Sequence, residues 1–141
     1  MDTLMPRIER TLEINAPIQR IWDVVDDHSN YARWNITVNE VSEIGPKEHF
    51  FKTTVGDFTN YQQDQVPLES LWSKQEGGPM SAIGYNFETK DDAVAVTLWC
   101  EFEIEGLEQI MEMAGDIMLK CLKTYVEYLE AGGDPEDFQK K

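Results

Sequence analysis

The chain has 141 residues, with 12 Lys and Arg against 27 Asp and Glu, which gives a formal net charge of −15 at pH 7. This length suits one folded domain, and a content of 41% hydrophobic and 11% aromatic residues is too apolar for a disordered acidic tail. The negative charge argues against nucleic acids and anionic membrane surfaces as partners, because binding to either depends on clustered Lys and Arg.

Neither membrane insertion nor export is indicated by the sequence. No stretch of about 20 apolar residues occurs, and residues 1–6 lack the basic and apolar regions of a secretion signal. We therefore expect a cytoplasmic protein with no integral membrane insertion. Because there is no repeat and no Gly/Ser-rich linker, we predict a single domain over 1–141, with a core at about 6–131 and a tail at 132–141.

The first predicted elements are a strand and two short helices. Residues 7–14 alternate between apolar and polar side chains, which is typical of a half-buried strand. Pro17 can begin a helix with its φ already set, and apolar residues recur behind it at helical spacing. The polar segment 26–30 ends that helix, and a second short helix is expected at 31–34.

The stretch from Ile36 to Ile104 is predicted to form strands. Five segments rich in Gly, Pro, Lys or Asp interrupt it, which indicates six strands. The last of them, 94–104, alternates most clearly, with apolar residues at every even-numbered position. One face of this strand is therefore expected to be buried and the other largely solvated.

From Gly106 onward the apolar period becomes that of a helix, and it continues to Leu129. Gly132, Gly133 and then Pro135 end this helix. A helix of about 25 residues is about 37 Å long, enough to cross a curved antiparallel sheet diagonally. Because a sheet with one apolar face must be covered, the helix is the expected cover. The concave space between the two is expected to leave a cavity.

The N-terminal third of the chain carries a resemblance to a known family. Segment 14–27 reads INAPIQRIWDVVDD and segment 30–35 reads NYARWN. With the element order β-α-α-β6-α, these motifs resemble the START-like helix-grip superfamily (SRPBCC), most of all its polyketide cyclase/dehydratase and lipid-transport branch. Residues 66–72 also resemble a strand of that branch that follows a proline, and the likeness covers about 6–130.

This resemblance implies an α+β helix-grip fold. In that fold a seven-stranded curved antiparallel sheet wraps around a long C-terminal helix, with a ligand cavity between them. The superfamily includes ligand carriers, cyclases, quinone-binding proteins and chaperone activators, so that the fold leaves the function open.

Apolar residues of the last two strands and of the long helix are the candidate lining of the cavity. Pockets for small ligands are mostly apolar with a few polar groups, although an apolar helical stripe also forms an ordinary filled core. Methionines on the helix favour the cavity, because their unbranched side chains adapt to variable shapes. The predicted ligand-binding residues are Ile83, Tyr85, Phe87, Leu98, Cys100, Phe102, Met111, Met118, Cys121, Leu122 and Tyr125.

The predicted strand at 58–65 is unusually rich in amides. Either Asn60 and Gln62 or Tyr61 and Gln63 must face inward. A buried amide needs hydrogen-bond partners, and Asn and Gln are mostly exposed in proteins. We therefore interpret this strand as lying near the sheet edge with a solvated face.

The sequence has no recognisable catalytic or metal centre. It contains no GxSxG elbow and no Gly-rich phosphate loop, and neither Cys100 nor Cys121 stands beside a histidine. Both thiols are expected to be reduced, buried and inert. His28 is expected in a solvated loop near the cavity mouth, because the consecutive residues 26–28 cannot converge on one metal ion. Catalytic residues stay unknown, and neither a metal nor a cofactor is predicted.

Trp99 falls on the outward face of its strand, so it either covers a neighbouring strand or marks a partner surface. A monomer and a homodimer both remain open. The predicted function is binding or transport of a small hydrophobic or amphipathic ligand (lipid, polyketide or quinone-like) in the internal cavity.

One alternative is an enzyme of the polyketide cyclase/dehydratase type, which requires a buried acid or base beside the cavity. The other is a chaperone or protein-partner adaptor, which predicts a filled core and an exposed apolar patch.

Overall fold

The computed structural model of the protein describes residues 6–54 and 56–140. Within these ranges seven strands and three α-helices follow the order β-α-α-β6-α. The strands are β1 (Arg7–Ile14), β2 (Val38–Gly45), β3 (Glu48–Thr53), β4 (Phe58–Val66), β5 (Ser70–Glu76), β6 (Met80–Thr89) and β7 (Val94–Phe102). The helices are α1 (Ile18–Asp26), α2 (Tyr31–Trp34) and α3 (Glu108–Glu130), and short 3₁₀ turns lie at His28–Asn30 and Pro135–Asp137.

All seven strands form one antiparallel sheet in the order β1-β7-β6-β5-β4-β3-β2. β2 to β7 follow one another as neighbours, and β1 returns to pair with β7, from Arg7 opposite Glu101 to Ile14 opposite Val94. Register shifts interrupt the β2–β3, β4–β5 and β6–β7 pairs. Such irregularities bend a strand and increase its twist, so they curve the sheet. The predicted seven-stranded helix-grip architecture is confirmed.

α3 is tied to β1 by a charged contact. The Arg10 guanidinium donates to both carboxylate oxygens of Asp116, at 2.8 and 3.0 Å, and to Glu112 at 3.2 Å. Between these acids stands Gly115, where a Cβ would lie 3.2 Å from Arg10 Cγ. The helix backbone therefore approaches β1 closely. α3 packs mainly against β1 and β7. Its other flank therefore makes few contacts with the sheet, and space is left beneath that flank.

Only part of the predicted apolar stripe of α3 is buried. Met111, Leu122 and Val126 of that stripe are buried. Ile110 and Ile117, which belong to the same predicted stripe, are 56% and 43% exposed. The stripe is wider than the arc of the helix that the sheet covers, so its margin remains at the surface.

α1 and α2 cover the part of the sheet that α3 does not reach. Ile21, Trp22 and Val25 of α1 and Tyr31 and Trp34 of α2 are buried in the main apolar cluster. The C-terminal half of α3 joins the same cluster. This end of the molecule is therefore filled by side chains.

The C-terminal segment after α3 contacts the body of the domain. The Phe138 ring packs against Tyr125 and Tyr128, with ring centroids 4.8 and 5.0 Å apart. Lys140 Nζ donates to three backbone carbonyl oxygens, those of Ala32, Asn35 and Val38. These bonds hold α2 and the start of β2 in place.

The C-terminal end of β7 differs from the sequence-based expectation. The strand ends at Phe102, and Ile104 is 58% exposed, so the predicted strand end at 104 is wrong by two residues. The chain leaves the sheet there through a turn in which Gly106 has a φ of +89°.

Trp99 lies over Gly84 of β6, where an added Cβ would come within 2.5 Å of the indole ring. It thus covers the neighbouring strand, the first of the two interpretations. Among the described residues, no helix has the length and apolarity needed to cross a membrane.

Candidate functional site

The buried apolar side chains form two separate clusters, with a cavity between them. The larger cluster joins α1, α2, the middle strands and the C-terminal half of α3. The smaller one consists of Ile8, Cys100, Phe102 and Met111 near the N-terminal end of α3. The cavity has a volume of about 100 Å³, is mostly apolar and takes lining side chains from both clusters.

The structure brings six of the eleven predicted ligand-binding residues onto the cavity wall and places the other five elsewhere in the core. The six are Ile83, Tyr85, Leu98, Cys100, Met111 and Met118. The five are Phe87, Phe102, Cys121, Leu122 and Tyr125.

The difference follows from the position of the cavity along α3. The lining residues of α3 run from Ile110 to Met118, in the N-terminal half of the helix. Cys121, Leu122 and Tyr125 lie in the next turns, where α3 meets the filled main cluster. Helical periodicity gives the buried face of a helix, but it does not give the point along the axis where packing stops.

Sequence reasoning missed the walls made by β3, β4, β5 and α2. Phe51, Phe58 and Leu71 contribute apolar surface there. Tyr31 and Asn35 contribute from α2 and its C-terminal end. The alternation of these strands was a usable signal, since in β5 every second residue from Leu71 is buried.

The interpretation of 58–65 as a solvated strand near the sheet edge is wrong. β4 lies inside the sheet between β3 and β5, and Asn60 is only 2% exposed. Asn60 Nδ2 donates to Ser73 Oγ at 3.0 Å, and Gln75 Nε2 donates to Asn60 Oδ1 at 3.0 Å. The three side chains thus serve as hydrogen-bond partners for one another on the cavity wall, which offsets the desolvation cost of burying the amides.

The interpretation of His28 as a residue of a solvated loop is also wrong. His28 is 6% exposed and lines the cavity, stacked on Tyr31 and on His49 with ring centroids 4.9 and 5.7 Å apart. Its Nδ1 lies 3.1 Å from the Asp26 carbonyl oxygen, which only accepts, so Nδ1 carries the hydrogen and Nε2 keeps its lone pair. Burial lowers the pKa of His28 to about 4. The imidazole is therefore neutral at pH 7.

His49 is buried behind His28. Its Nε2 is hydrogen-bonded to the Ser29 hydroxyl at 3.2 Å and lies 3.8 Å from a Glu43 carboxylate oxygen. Burial lowers the pKa of His49, and the charge of Glu43 partly opposes the effect.

Two tyrosine hydroxyls meet at the wall below α2. The Tyr31 hydroxyl donates to the Val25 carbonyl oxygen at 2.5 Å. The Tyr85 hydroxyl is buried beside it, and a hydrogen-bond interaction between the two phenols contributes to the pKa of each, although its geometry falls outside that of a regular hydrogen bond. Burial raises the pKa of both phenols, so both are neutral.

The Cys100 thiol has a raised pKa. Cys100 and Cys121 are both free, and burial raises the pKa of Cys100 to about 11. A thiol of that pKa is a poor nucleophile at pH 7. No group of three His, Cys, Asp or Glu side chains that could hold a metal ion occurs within 6–54 and 56–140.

The cavity opens at the N-terminal half of α3. Ile110 lies on the lining and is also 56% exposed, so it stands at the mouth. Met113 and Ile117, 60% and 43% exposed, continue an apolar strip along the same helix. A ligand entering past Ile110 meets apolar side chains before it reaches the interior.

Comparison with known proteins supports the fold. No protein-family model and no curated protein matches the sequence, whereas solved structures match over most of its length. A START superfamily protein from Mycobacterium smegmatis has a TM-score of 0.79 at 15% identity, covering 87% of this chain and 98% of its own. The chain has a START-like helix-grip fold. The resemblance seen in the N-terminal motifs is confirmed at this level.

Two further solved structures share this fold. The ZhuI aromatase/cyclase from Streptomyces sp. R1128 has a TM-score of 0.73 at 20% identity, covering 93% of this chain and 100% of its own. The Aha1 protein from Colwellia psychrerythraea, solved as a dimer, has a TM-score of 0.69 at 17% identity, covering 92% and 100%. At these identities the likeness extends to the fold and leaves the chemistry to be argued from the cavity.

Proposed function

We propose that the protein binds a small, mainly apolar ligand in the cavity between α3 and the sheet. The observation that carries this proposal is the gap between the two buried clusters, which is apolar but has buried polar atoms on its wall. Sites for small molecules combine these same properties. The START-like fold supports the proposal, since one structural neighbour is an aromatase/cyclase.

The size of the cavity favours a compact ligand over a long chain. Its volume is about 100 Å³. An apolar cavity of about 150 Å³ holds benzene, and pockets for drug-sized ligands measure about 300–1,000 Å³. Of the ligand types expected from the sequence, an extended lipid fits least and a ring-sized group fits best, with any remainder at the mouth beside Ile110.

Native mass spectrometry of freshly purified protein, followed by solvent extraction, tests the proposal. We expect a bound compound that is released by solvent and absent from a Met118→Trp variant, in which the indole occupies the cavity. Met113→Trp is the matched control, because Met113 is exposed on the same helix. Equal occupancy in the two variants, or no compound from several expression hosts, contradicts the proposal.

A cyclase/dehydratase-type enzyme is the second candidate, because a base stands on the cavity wall. His28 is buried there in the neutral form with a free Nε2 lone pair. Its low pKa makes it a weak proton acceptor, which favours binding over catalysis. Compounds extracted from wild type and His28→Gln separate the two: an enzyme gives different compounds, and a binding protein gives the same one.

A chaperone or partner adaptor is less well supported, since it predicts a filled core. The apolar strip formed by Ile110, Met113 and Ile117 is the only feature of the described surface of α3 that favours it. The same strip is the candidate contact if the protein forms a homodimer. A cytoplasmic location remains part of the proposal.

A further inference from the structure

The segment after α3 reaches from that helix to α2. Its Phe138 ring packs against two tyrosine rings of α3. Its Glu136 forms an ion pair with Arg33 of α2, in which 3.5 Å separates Oε1 from Nη1. We call residues 134–140 the strap, because they join these two helices.

The strap carries an ammonium group that is bonded entirely to backbone. Lys140 Nζ donates to the carbonyl oxygens of Ala32 at 2.5 Å, Asn35 at 3.2 Å and Val38 at 2.6 Å. Three donated bonds need three hydrogens on the nitrogen, which only the protonated amine has. Carbonyl groups at the end of a helix lack partners within the helix, and a lysine is a suitable donor to them. Lys140 therefore fits the place where α2 ends and β2 begins.

The other bonds of this place are mostly local. We call residues 35–38 the junction. Within it, Asn35 accepts from the backbone N–H of Val38 and of Thr37, each at 3.0 Å. One bond leads to the chain after β3, from Thr54 N to the Thr37 carbonyl oxygen at 2.9 Å. Because β2 is the last strand of the sheet, its outer side has no neighbouring strand within the described residues. The bonds from Lys140 link the junction to a distant part of the chain.

The junction is also part of the cavity wall. Asn35, Thr37 and Val38 line the cavity. Asn35 and Val38 are buried, whereas Thr37 is half-buried and the neighbouring Ile36 is 40% exposed. The lining thus comes close to the surface at the junction as well as at Ile110. The strap is bonded to the backbone of this part of the wall.

We propose that the strap is a latch on the cavity. While Lys140 is bonded to the junction, this part of the wall stays closed, and when Lys140 is released the junction opens and ligand passes there. Segments held by few bonds open locally at a lower free energy than the whole fold, and the junction lies between a four-residue helix and an edge strand. The latch rests on the proposed function for the ligand whose passage it controls.

Amide hydrogen exchange measured by NMR tests the latch without any ligand. Lys140→Met keeps the apolar stem of the side chain and removes the ammonium. We expect the exchange rates of the Asn35 and Val38 amides to rise about tenfold or more, since loss of one bond to a charged donor changes an opening equilibrium by about that factor. The amides of Tyr85 and Leu98, which are paired between β6 and β7, report global opening and should change less than about threefold.

The matched control is Lys120→Met, which makes the same chemical change at an exposed position of α3. We expect wild-type exchange at the junction in this variant. Equal exchange rates at the junction in Lys140→Met and Lys120→Met overturn the latch.

A second variant tests whether the strap acts as one unit. Phe138→Ala removes the ring that packs on α3 and leaves Lys140 in place. We expect faster exchange at the junction, and we expect Lys140→Met to add less than about twofold in this background, because contacts that act together are not additive. If the two effects multiply, residues 134–140 do not act as one strap and the latch is overturned.

Benzene serves as the probe for passage of a ligand. The methyl signals of Leu98 and Met118, which line the cavity, report its exchange by NMR relaxation dispersion. In Lys140→Met, we expect the association and dissociation rates both to rise about fivefold or more while Kd changes less than about twofold, since the open form stays a small minority. Lys120→Met should keep the wild-type rates.

The outcomes separate the latch from the ligand-binding function. If exchange at the junction is faster in Lys140→Met but the benzene rates are unchanged, the junction is not a way into the cavity, so the latch is overturned while ligand binding stands. If benzene does not bind wild type and no compound is extracted from it, the ligand-binding function fails, and the passage of ligand at the junction fails with it. Amide exchange then still decides whether Lys140 holds the wall.

Discussion

Filling the cavity from α3 should stabilise the protein and block binding at the same time. Met118 is half-buried on the cavity wall, and we consider its replacement by Phe. An internal cavity costs about 24 cal/mol per Å³, so a cavity of about 100 Å³ costs about 2.4 kcal/mol in all. A single ring fills part of it, and we expect a gain of about 0.5–1 kcal/mol in the free energy of unfolding.

The reverse substitution enlarges the same space. Met118→Ala removes side-chain atoms that the neighbours cannot fully replace, and we expect a loss of about 2 kcal/mol. Met113→Phe and Met113→Ala are the controls, because Met113 is 60% exposed on the same helix. Both should change stability by less than about 0.5 kcal/mol.

Urea unfolding at pH 7, followed by tryptophan fluorescence, measures these changes, and native mass spectrometry reports occupancy in the same samples. The reasoning is refuted if Met118→Phe destabilises the protein by more than about 1 kcal/mol, as overpacking a filled core does. It is equally refuted if Met113→Phe gives the same gain as Met118→Phe.

Three further predictions concern the wall and the outer face of the sheet. The pKa of His28 is about 6.5 in the unfolded chain and about 4 in the fold. The contribution of His28 to the free energy of unfolding is therefore complete above pH 6.5, and about 3 kcal/mol of that free energy is lost as the pH falls to 4. Urea midpoints at pH 7 and 4.5 should therefore differ less in His28→Gln, and an equal difference contradicts this. Tyr31→Phe should lose about 1–2 kcal/mol because it removes the hydrogen bond from the Tyr31 hydroxyl to the Val25 carbonyl oxygen; a variant as stable as wild type in thermal unfolding would rule this out. Gly84→Ala should cost about 1–3 kcal/mol because its Cβ meets Trp99, and a Trp99→Ala background should remove most of that cost; an unchanged cost in the double variant argues against the contact.

The sequence was sufficient for the architecture, since each element carries its own local signal. The alternation at 94–104 located β7 to within two residues, and the turn segments separated all six strands from β2 to β7. The Gly and Pro residues after Leu129 marked the end of α3, which is observed at Glu130.

The cavity could be predicted only in part, because it depends on where α3 meets the sheet. Ile83, Leu98 and Met118 were predicted from face periodicity and do line it. The contact of Arg10 with Asp116, which ties α3 to β1, joins residues 106 positions apart. Nothing local in the sequence gives that pairing, and without it the limit of the cavity between Met118 and Cys121 cannot be located.

The polar residues of the wall were misjudged for a related reason. Asn60 was assigned to a solvated face because amides are mostly exposed. Its burial depends on Ser73 and Gln75, which reach it only once β4 and β5 pair. His28 was assigned to a solvated loop, and its burial depends on stacking with the distant His49.

The central claim is that a ring-sized apolar ligand binds inside the domain, and methyl NMR during a benzene titration tests it most directly. With labelled Leu and Met methyl groups, the account predicts saturable shifts and ligand contacts concentrated at Leu98, Met111 and Met118. Shifts that are largest at the exposed Met113, or that grow without saturation across the whole surface, would contradict it.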